Sequence, residues 1–343
     1  MTIQSQPASL EFDPQRLDER LRREIPALRG RMQLERITGG QSNPTFFVSF
    51  DDRRMVMRKK PPGQLLPSAH AVDREYRILT ALAKTDVPVP PVVAFVEDET
   101  VIGTPFYVME RVEGRVFADP SLPGVAPSER AQMFMSMADT LATLHSVDWE
   151  AIGLAGYGHH EAYYPRQLQR WSRQWSLCQT QELPEVDRLI DWLSNRIPVD
   201  GMTSISHGDF RIGNLMFHPT QPRVVAVLDW ELSTLGHPLA DLAFSTLAWH
   251  LNADQYMGMK DRPLAALGVP TENAYLARYY QQLPLSGQLD QFHYAFALFR
   301  LAVIFEGIAA RSLNGTSVSG EASTSARLSK AFASIGVGFI EGR

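Results

Sequence analysis

The chain has 343 residues, 44% of them hydrophobic and 21% charged, with a formal net charge of -5 and a pI near 6.0. That length and apolar content suffice to bury a large core in more than one lobe, and the composition excludes a disordered chain. The acidic balance excludes a surface built to neutralise a phosphate backbone, so nucleic acid is not an expected partner.

Cys178 is the only cysteine. It permits no intrachain disulfide and no cysteine-based zinc site, which fits a reducing compartment. Met1 to Leu10 lacks a basic segment followed by an apolar stretch, so no secretory leader is expected. Ala295 to Phe305, the most apolar late stretch, is short and is interrupted by Arg300, so no membrane span is expected either. A cytoplasmic protein is the expectation.

In chain order, Pro14 to Leu28 reads as an amphipathic helix, with Leu17, Leu21, Ile25 and Leu28 on one face. Leu34–Ile37, Thr45–Phe50 and Met55–Arg58 are β-like runs, with Gly39-Gly40 and Asp51-Asp52 as turn signals between them. After the Pro61-Pro62-Gly63 loop, Ser68 is a candidate cap for a helix carrying Val72, Tyr76, Leu79 and Leu82 on one face. Prolines 88, 90 and 91 end it, and Val92–Val96 and Phe106–Glu110 read as strands. Glu113-Gly114 is a candidate hinge. Beyond it the pattern is mostly helical: Ser128–Val147, Arg166–Gln179, Glu185–Ile197, Pro238–His250, Glu272–Leu283, Leu289–Arg311 and Glu321–Gly336. Two short strands, Thr203–Ser206 and Val224–Leu228, interrupt the helices. The predicted organisation is a helical extension over 1–30, a small antiparallel lobe over 31–112 and a larger helical lobe over 113–343.

The two short strands bracket the segment His207-Gly208-Asp209-Phe210-Arg211-Ile212-Gly213-Asn214. Asp209 and Asn214 show the Asp-x-x-x-x-Asn spacing of the kinase catalytic loop, a known template. One short loop can hold a carboxylate facing an attacking hydroxyl and an amide reaching a nucleotide-bound metal. Asp229 follows the apolar run Val224–Leu228, where a strand end presents a carboxylate that Mg²⁺ can collect. Each acid alone is as readily a turn or helix cap; the ordered set His207, Asp209, Asn214 and Asp229 points to phosphoryl transfer. His207 reads better as a buried residue bonding the loop backbone than as a proton carrier.

These residues, together with Val227-Leu228-Asp229-Trp230-Glu231 and His237-Pro238-Leu239-Ala240-Asp241-Leu242, resemble the aminoglycoside phosphotransferase and choline kinase superfamily. Arg58–Gly63, Asp73–Arg77 and Phe299–Ile304 make the chain similar, more narrowly, to the phosphotransferase domain joined to acyl-CoA dehydrogenases in some larger proteins. The resemblance covers nearly the whole chain from about Leu34.

The resemblance implies an α+β, bilobal protein-kinase-like fold that uses ATP and Mg²⁺. The small N-lobe is an antiparallel sheet with one helix, and the larger C-lobe is mainly helical. Asp209 would be the catalytic base or hydroxyl-orienting group, and Asn214 and Asp229 would hold Mg²⁺. Asp241 would steady the catalytic loop. Glu231 would lie near the metal or at the surface. Gly40, Ser42 and Asn43 fall where a phosphate-covering loop is expected, although Gly-Gly also makes an ordinary hairpin turn. Arg58 replaces the usual phosphate-holding Lys, with Lys60 as reserve and Glu75 as the expected partner; Lys59 is expected as a solvated surface charge. Glu110 and Val112, just before the hinge, complete the nucleotide side. Arg211 would neutralise charge on the transferring phosphoryl group, or is a surface arginine.

The acceptor is a small molecule bearing a hydroxyl. Arg166, Arg170, Arg300 and Arg311, with Trp171 and Trp175, suit an anionic acceptor such as a hydroxy acid or a hydroxyacyl-CoA, rather than a polycationic aminoglycoside. The two tryptophans, four residues apart, are more often core at this spacing. A functional link to an acyl-CoA dehydrogenase follows from the resemblance. The competing readings are an aminoglycoside- or choline-type kinase, a nucleotide-binding docking module without catalysis, and a metal-dependent phosphohydrolase. The last would need more converging metal ligands than this sequence spaces.

Overall fold

The computed structural model describes residues 11–37, 43–61, 71–199, 201–284, 287–313 and 321–342. The chain divides into two compact units: 1–114 with 225–231, and 115–224 with 232–343. The division falls just after the Glu113-Gly114 pair, but 225–231 groups with the first unit, not with the 113–343 stretch in which the sequence places it.

The first unit begins with α1 (Pro14–Glu24), which Asp13 starts by accepting the Gln15 N–H at 2.9 Å, with Pro14 in the first turn. Its Leu17 and Leu21 bury into the sheet core beside Phe46, Val48, Met55 and Met57, so the expected extension is part of this unit. The sheet comprises β1 (Gln33–Arg36), β2 (Thr45–Ser49), β3 (Arg54–Lys59), β4 (Val92–Val96) and β5 (Phe106–Glu110), with α2 (Val72–Leu82) inserted between β3 and β4. The spatial order is β1-β2-β3-β5-β4, and every pairing is antiparallel. The proposed Ser68 cap, like Gly40 and Ser42, lies outside the described residues.

Lys59 corrects the sequence reading. It is buried on β3, with its ammonium 3.8 Å from Glu11 and 5.4 Å from the Phe12 ring centre. Strand alternation put Arg58 and Lys59 on opposite faces but could not show that α1 and the residues before it cover the Lys59 side. Burial pulls the Lys59 amine below its usual value, with Glu11 opposing.

The second unit contains β6 (Arg115–Val116), α3 (Pro127–Ser146), α4 (Tyr163–Cys178), α5 (Pro184–Ser194), β7 (Ser204–Ser206) and β8 (Leu215–Phe217). After β9 (Val224–Val227), which leads into 225–231, come β10 (Thr234–Gly236), α6 (Pro238–Thr246), α7 (Leu264–Leu267), α8 (Glu272–Gln282), α9 (Gln291–Leu313) and α10 (Glu321–Ile340). β6, β8, β10 and α7 are too short to leave a periodic signal. β7 pairs with β10, and β6 with β8, each antiparallel. The core of this unit is built from α4, α5, α6, α9 and α10, and includes Leu168, Trp175, Leu189, Phe244, Phe296, Phe299 and Phe332. Trp175 is fully packed there and Trp171 half-buried against it, so this pair serves the core first. Among the described residues no helix is long and apolar enough to cross a membrane.

Candidate active site

In the first unit, β3 carries Arg58 to the carboxylates of Glu75 on α2, at 3.1 Å, and Asp229, at 3.2 Å. Glu75 is buried and also accepts from the Asn43 amide at 2.6 Å and the Tyr107 hydroxyl at 2.8 Å. Burial raises the Glu75 carboxyl, against the pull of Arg58. Burial also works against the Arg58 charge, but Glu75, Tyr107 and Asp229 outweigh it and hold the guanidinium firmly protonated. Arg58 and Glu75 thus form the expected basic–acidic pair. Tyr107, which the sequence did not single out, completes the Glu75 cradle from β5. Only its strand position next to Arg58 in the β3–β5 register could have flagged it.

Asp229 has a backbone φ of +65°, a left-handed conformation uncommon for a residue with a side chain. The Trp230 indole donates to the Val227 carbonyl at 2.9 Å and pins the chain on either side of it. Lys60 follows the last residue of β3 and is half-buried. Glu110 pairs with Arg53, and Val112 is half-buried.

In the second unit the loop carrying Asp209 leaves β7 and closes through a 3-10 turn at Ile212–Asn214. That turn brings the Asn214 amide back to Asp209, donating to its carbonyl at 2.8 Å and its carboxylate at 2.7 Å. With its nitrogen donating to Asp209, Asn214 keeps its side-chain carbonyl as an acceptor. Arg211 lies 3.3 Å from the Asp209 carboxylate and 5.1 Å from the Tyr256 ring centre. Tyr256, absent from the sequence expectations, has a φ of +63° and is partly exposed.

A buried acid underpins this loop. Asp241, at the start of α6, accepts from the Ser206 hydroxyl at 2.9 Å and the Gly208 N–H at 2.9 Å, and also from the His207 N–H. His145 of α3 lies 3.5 Å from the same carboxylate and 2.7 Å from the Tyr279 hydroxyl. Burial pushes the Asp241 carboxyl up, but His145, His207 and the Gly208 amide outweigh it and hold it below the usual range. His207 is fully buried and accepts the Asp209 N–H at 3.2 Å, the backbone-bonding role its sequence position suggested.

The four candidate acceptor arginines do not converge as one set. Arg166 donates to the carbonyls of Glu161 and His159. Arg170 lies 5.2 Å and Arg300 5.9 Å from the Trp171 ring centre, while Arg311 sits in the last turn of α9. Arg300 is buried and donates to the Gly208 carbonyl. A small cavity of about 10 Å³ beside Arg211 is lined mainly by apolar groups, including Phe134, Met137, Trp249 and Met257.

Among the described residues no group of three or more His, Cys, Asp or Glu could hold a metal.

The family model that matches, over residues 33–289, is described as the phosphotransferase enzyme family. Acyl-CoA dehydrogenase family member 10 of Mus musculus is 44% identical over 310 residues, covering 89% of this chain and 29% of that protein. Family member 11 of Rattus norvegicus is 39% identical over 317 residues, covering 90% of this chain and 41% of its own. The chain thus spans less than half the length of these relatives. A crystal structure of a candidate aminoglycoside phosphotransferase from Ralstonia eutropha JMP134 superposes with a TM-score of 0.88 at 42% identity, covering 96% of this chain and 99% of that one. A thermostable aminoglycoside phosphotransferase APH(4)-Ia mutant, in ternary complex with AMP-PNP and hygromycin B, gives 0.63 at 15% identity, covering 94% and 99%, and shares the fold. The chain therefore has the kinase-like fold, with an antiparallel-sheet N-lobe and a helical C-lobe.

Proposed function

Because the chain belongs to the phosphotransferase enzyme family, we propose that it transfers the γ-phosphoryl group of ATP to a hydroxyl of a small anionic acceptor, a hydroxy acid or hydroxyacyl-CoA. The observation that carries this reading is the closure of Asn214 onto the Asp209 carboxylate, which presents a general base and a cation-binding carbonyl from one loop. Asp209 aligns the acceptor hydroxyl and takes its proton. The acceptor oxygen bonds to the γ-phosphorus as the bond to the β-phosphate oxygen breaks, and ADP leaves. Arg58, held by Glu75, binds the nucleotide phosphates, with Lys60 in reserve. Glu110 and Val112 border the base, and Asn43 supports the Arg58–Glu75 pair through its amide bond to Glu75. Asn214 and Asp229 are the residues that would hold Mg²⁺. When bound, Mg²⁺ neutralises charge on the phosphates.

Arg211 offers positive charge to the transferring group, and its pairing with Asp209 keeps it beside the base. Replacing it with Met should lower kcat by roughly 10- to 1000-fold, the range for losing one transition-state charge partner. Steady-state kinetics at saturating ATP measures this, and an unchanged kcat removes Arg211 from the chemistry.

For the acceptor, the guanidinium groups of Arg170, beside Trp171, and of Arg211 favour negative charge, while Arg166 and Arg311 stand apart from them. The acyl-CoA dehydrogenase names of the relatives point the same way and suggest a partner enzyme that handles acyl-CoA. The expected result is ATP consumption with hydroxyacyl-CoAs or hydroxy acids, and none above background with choline or kanamycin. Turnover on kanamycin alone would replace this reading with the aminoglycoside-type one suggested by the Ralstonia structure. A chain that binds ATP but phosphorylates none of these would favour the docking module.

A further inference from the structure

Gly208 stands immediately before Asp209, and its two peptide groups are held from opposite ends. Its N–H donates to Asp241 at 2.9 Å. Its carbonyl accepts from the guanidinium of Arg300, on α9. The φ of Gly208 is +83°, and a Cβ there would lie 2.8 Å from the Leu232 carbonyl oxygen, so no side chain fits at this turn. Arg300 is only 8% exposed, and its guanidinium lies 5.6 Å from the Phe244 ring centre and 5.9 Å from that of Trp171. Among the described residues no carboxylate pairs with it. A buried cation without a counter-ion is costly. Here the aromatic faces and one backbone carbonyl offset that cost, and the carbonyl belongs to the peptide that carries Asp209.

We propose that Arg300 is a positioning residue for the catalytic loop. The peptide unit is planar and stiff, so fixing the Gly208 oxygen fixes the Asp209 nitrogen and Cα as well. Asp241 and Arg300 together hold both peptide groups of Gly208, and His207 receives the Asp209 N–H. The Asp209 side chain is thereby aimed before any substrate arrives. This assigns Arg300 to the loop rather than to the acceptor; it rests on the phosphotransferase reading only for its kinetic readout.

Two measurements on Arg300→Met test it. Amide hydrogen exchange over 204–211 should quicken while exchange over α5 and α10 stays as in the parent, a local loosening that needs no activity to be seen. The phosphoryl-transfer kcat should fall roughly 10- to 100-fold, the cost of misplacing a catalytic group by about 1 Å, with the KM values of ATP and acceptor unchanged. Arg300→Lys, which keeps the charge and one donor, should recover part of the kcat, and it reads the same split if Arg300→Met fails to fold. A raised acceptor KM with kcat preserved would make Arg300 an acceptor ligand and overturn the proposal, as would unchanged exchange over 204–211. If the parent transfers no phosphoryl group to any hydroxyl, the functional reading fails, while the exchange measurement still decides the role of Arg300.

Discussion

Asp209→Asn is expected to lower phosphoryl transfer by roughly 10²- to 10⁴-fold, the contribution of a general base, while Mg-ATP affinity stays within about twofold of the parent. The substitution is nearly isosteric. The Asn214 amide, which donates to the Asp209 carboxylate at 2.7 Å, can donate instead to the carbonyl oxygen of the new side chain, so the loop keeps its shape. What is lost is the negative charge proposed to orient and deprotonate the acceptor. Asp229→Ala should behave differently. It removes one of Arg58's two carboxylate partners and the proposed metal carboxylate, so the Mg²⁺-dependent part of ATP binding should disappear along with turnover. Calorimetric titration with a non-hydrolysable ATP analogue, with and without Mg²⁺, separates the two variants. Equal Mg-ATP binding by both would show that the roles have been divided wrongly.

Asp241→Ala is expected to be the most damaging single substitution outside the reacting groups. It strips partners from the Ser206 hydroxyl and the His207 and Gly208 amides, all buried, and leaves His145 without its acid. Breaking a buried charged network of this kind costs about 3 to 5 kcal/mol. The effect should depend on pH. The folded state holds the Asp241 carboxyl below its ordinary value, so as the solution is acidified the unfolded chain takes up that proton first. The stability contributed by the charged form is complete above the ordinary aspartate value of about 3.9 and is lost as pH falls below it. Urea unfolding of the parent and Asp241→Ala should therefore show a wide stability gap at neutral pH and a narrower one under acid. A gap of constant size would mean that the carboxylate acts through shape rather than charge.

Much of the fold was legible because its signals are local. The short apolar, β-branched and aromatic runs gave β4 and β5 at their observed limits, and β1, β2 and β3 within one residue at each end. The helical segments matched α3, α8 and α9 within two residues at each end, although α9 is buried all round from Ala295 to Val303 rather than along one stripe. Pro238–His250 reads as one helix but stops at Thr246, with a 3-10 turn following. Nothing in an apolar run marks where the hydrogen-bond pattern tightens. The two-residue β6 and the three-residue β8 and β10 exist only through their partners, so no pattern within them could announce them.

The covalent order of residues determined by itself the loop that brings Asn214 onto Asp209, because both lie within one short turn and their spacing sets their reach. It also put Arg58 and Lys59 on opposite faces of their strand, since alternation is a property of the backbone. Tertiary structure alone decided what surrounds these groups: that Asn43 and Tyr107 hold Glu75, that Lys59 is covered, that Arg211 rests on Tyr256, and that Arg300 reaches the Gly208 carbonyl. The physical reason is range. Hydrogen-bonded turns and side-chain periodicity act over a few residues and are written along the chain. Burial and long-range pairing depend on which distant segments share the same space, and that is fixed only when the chain has packed.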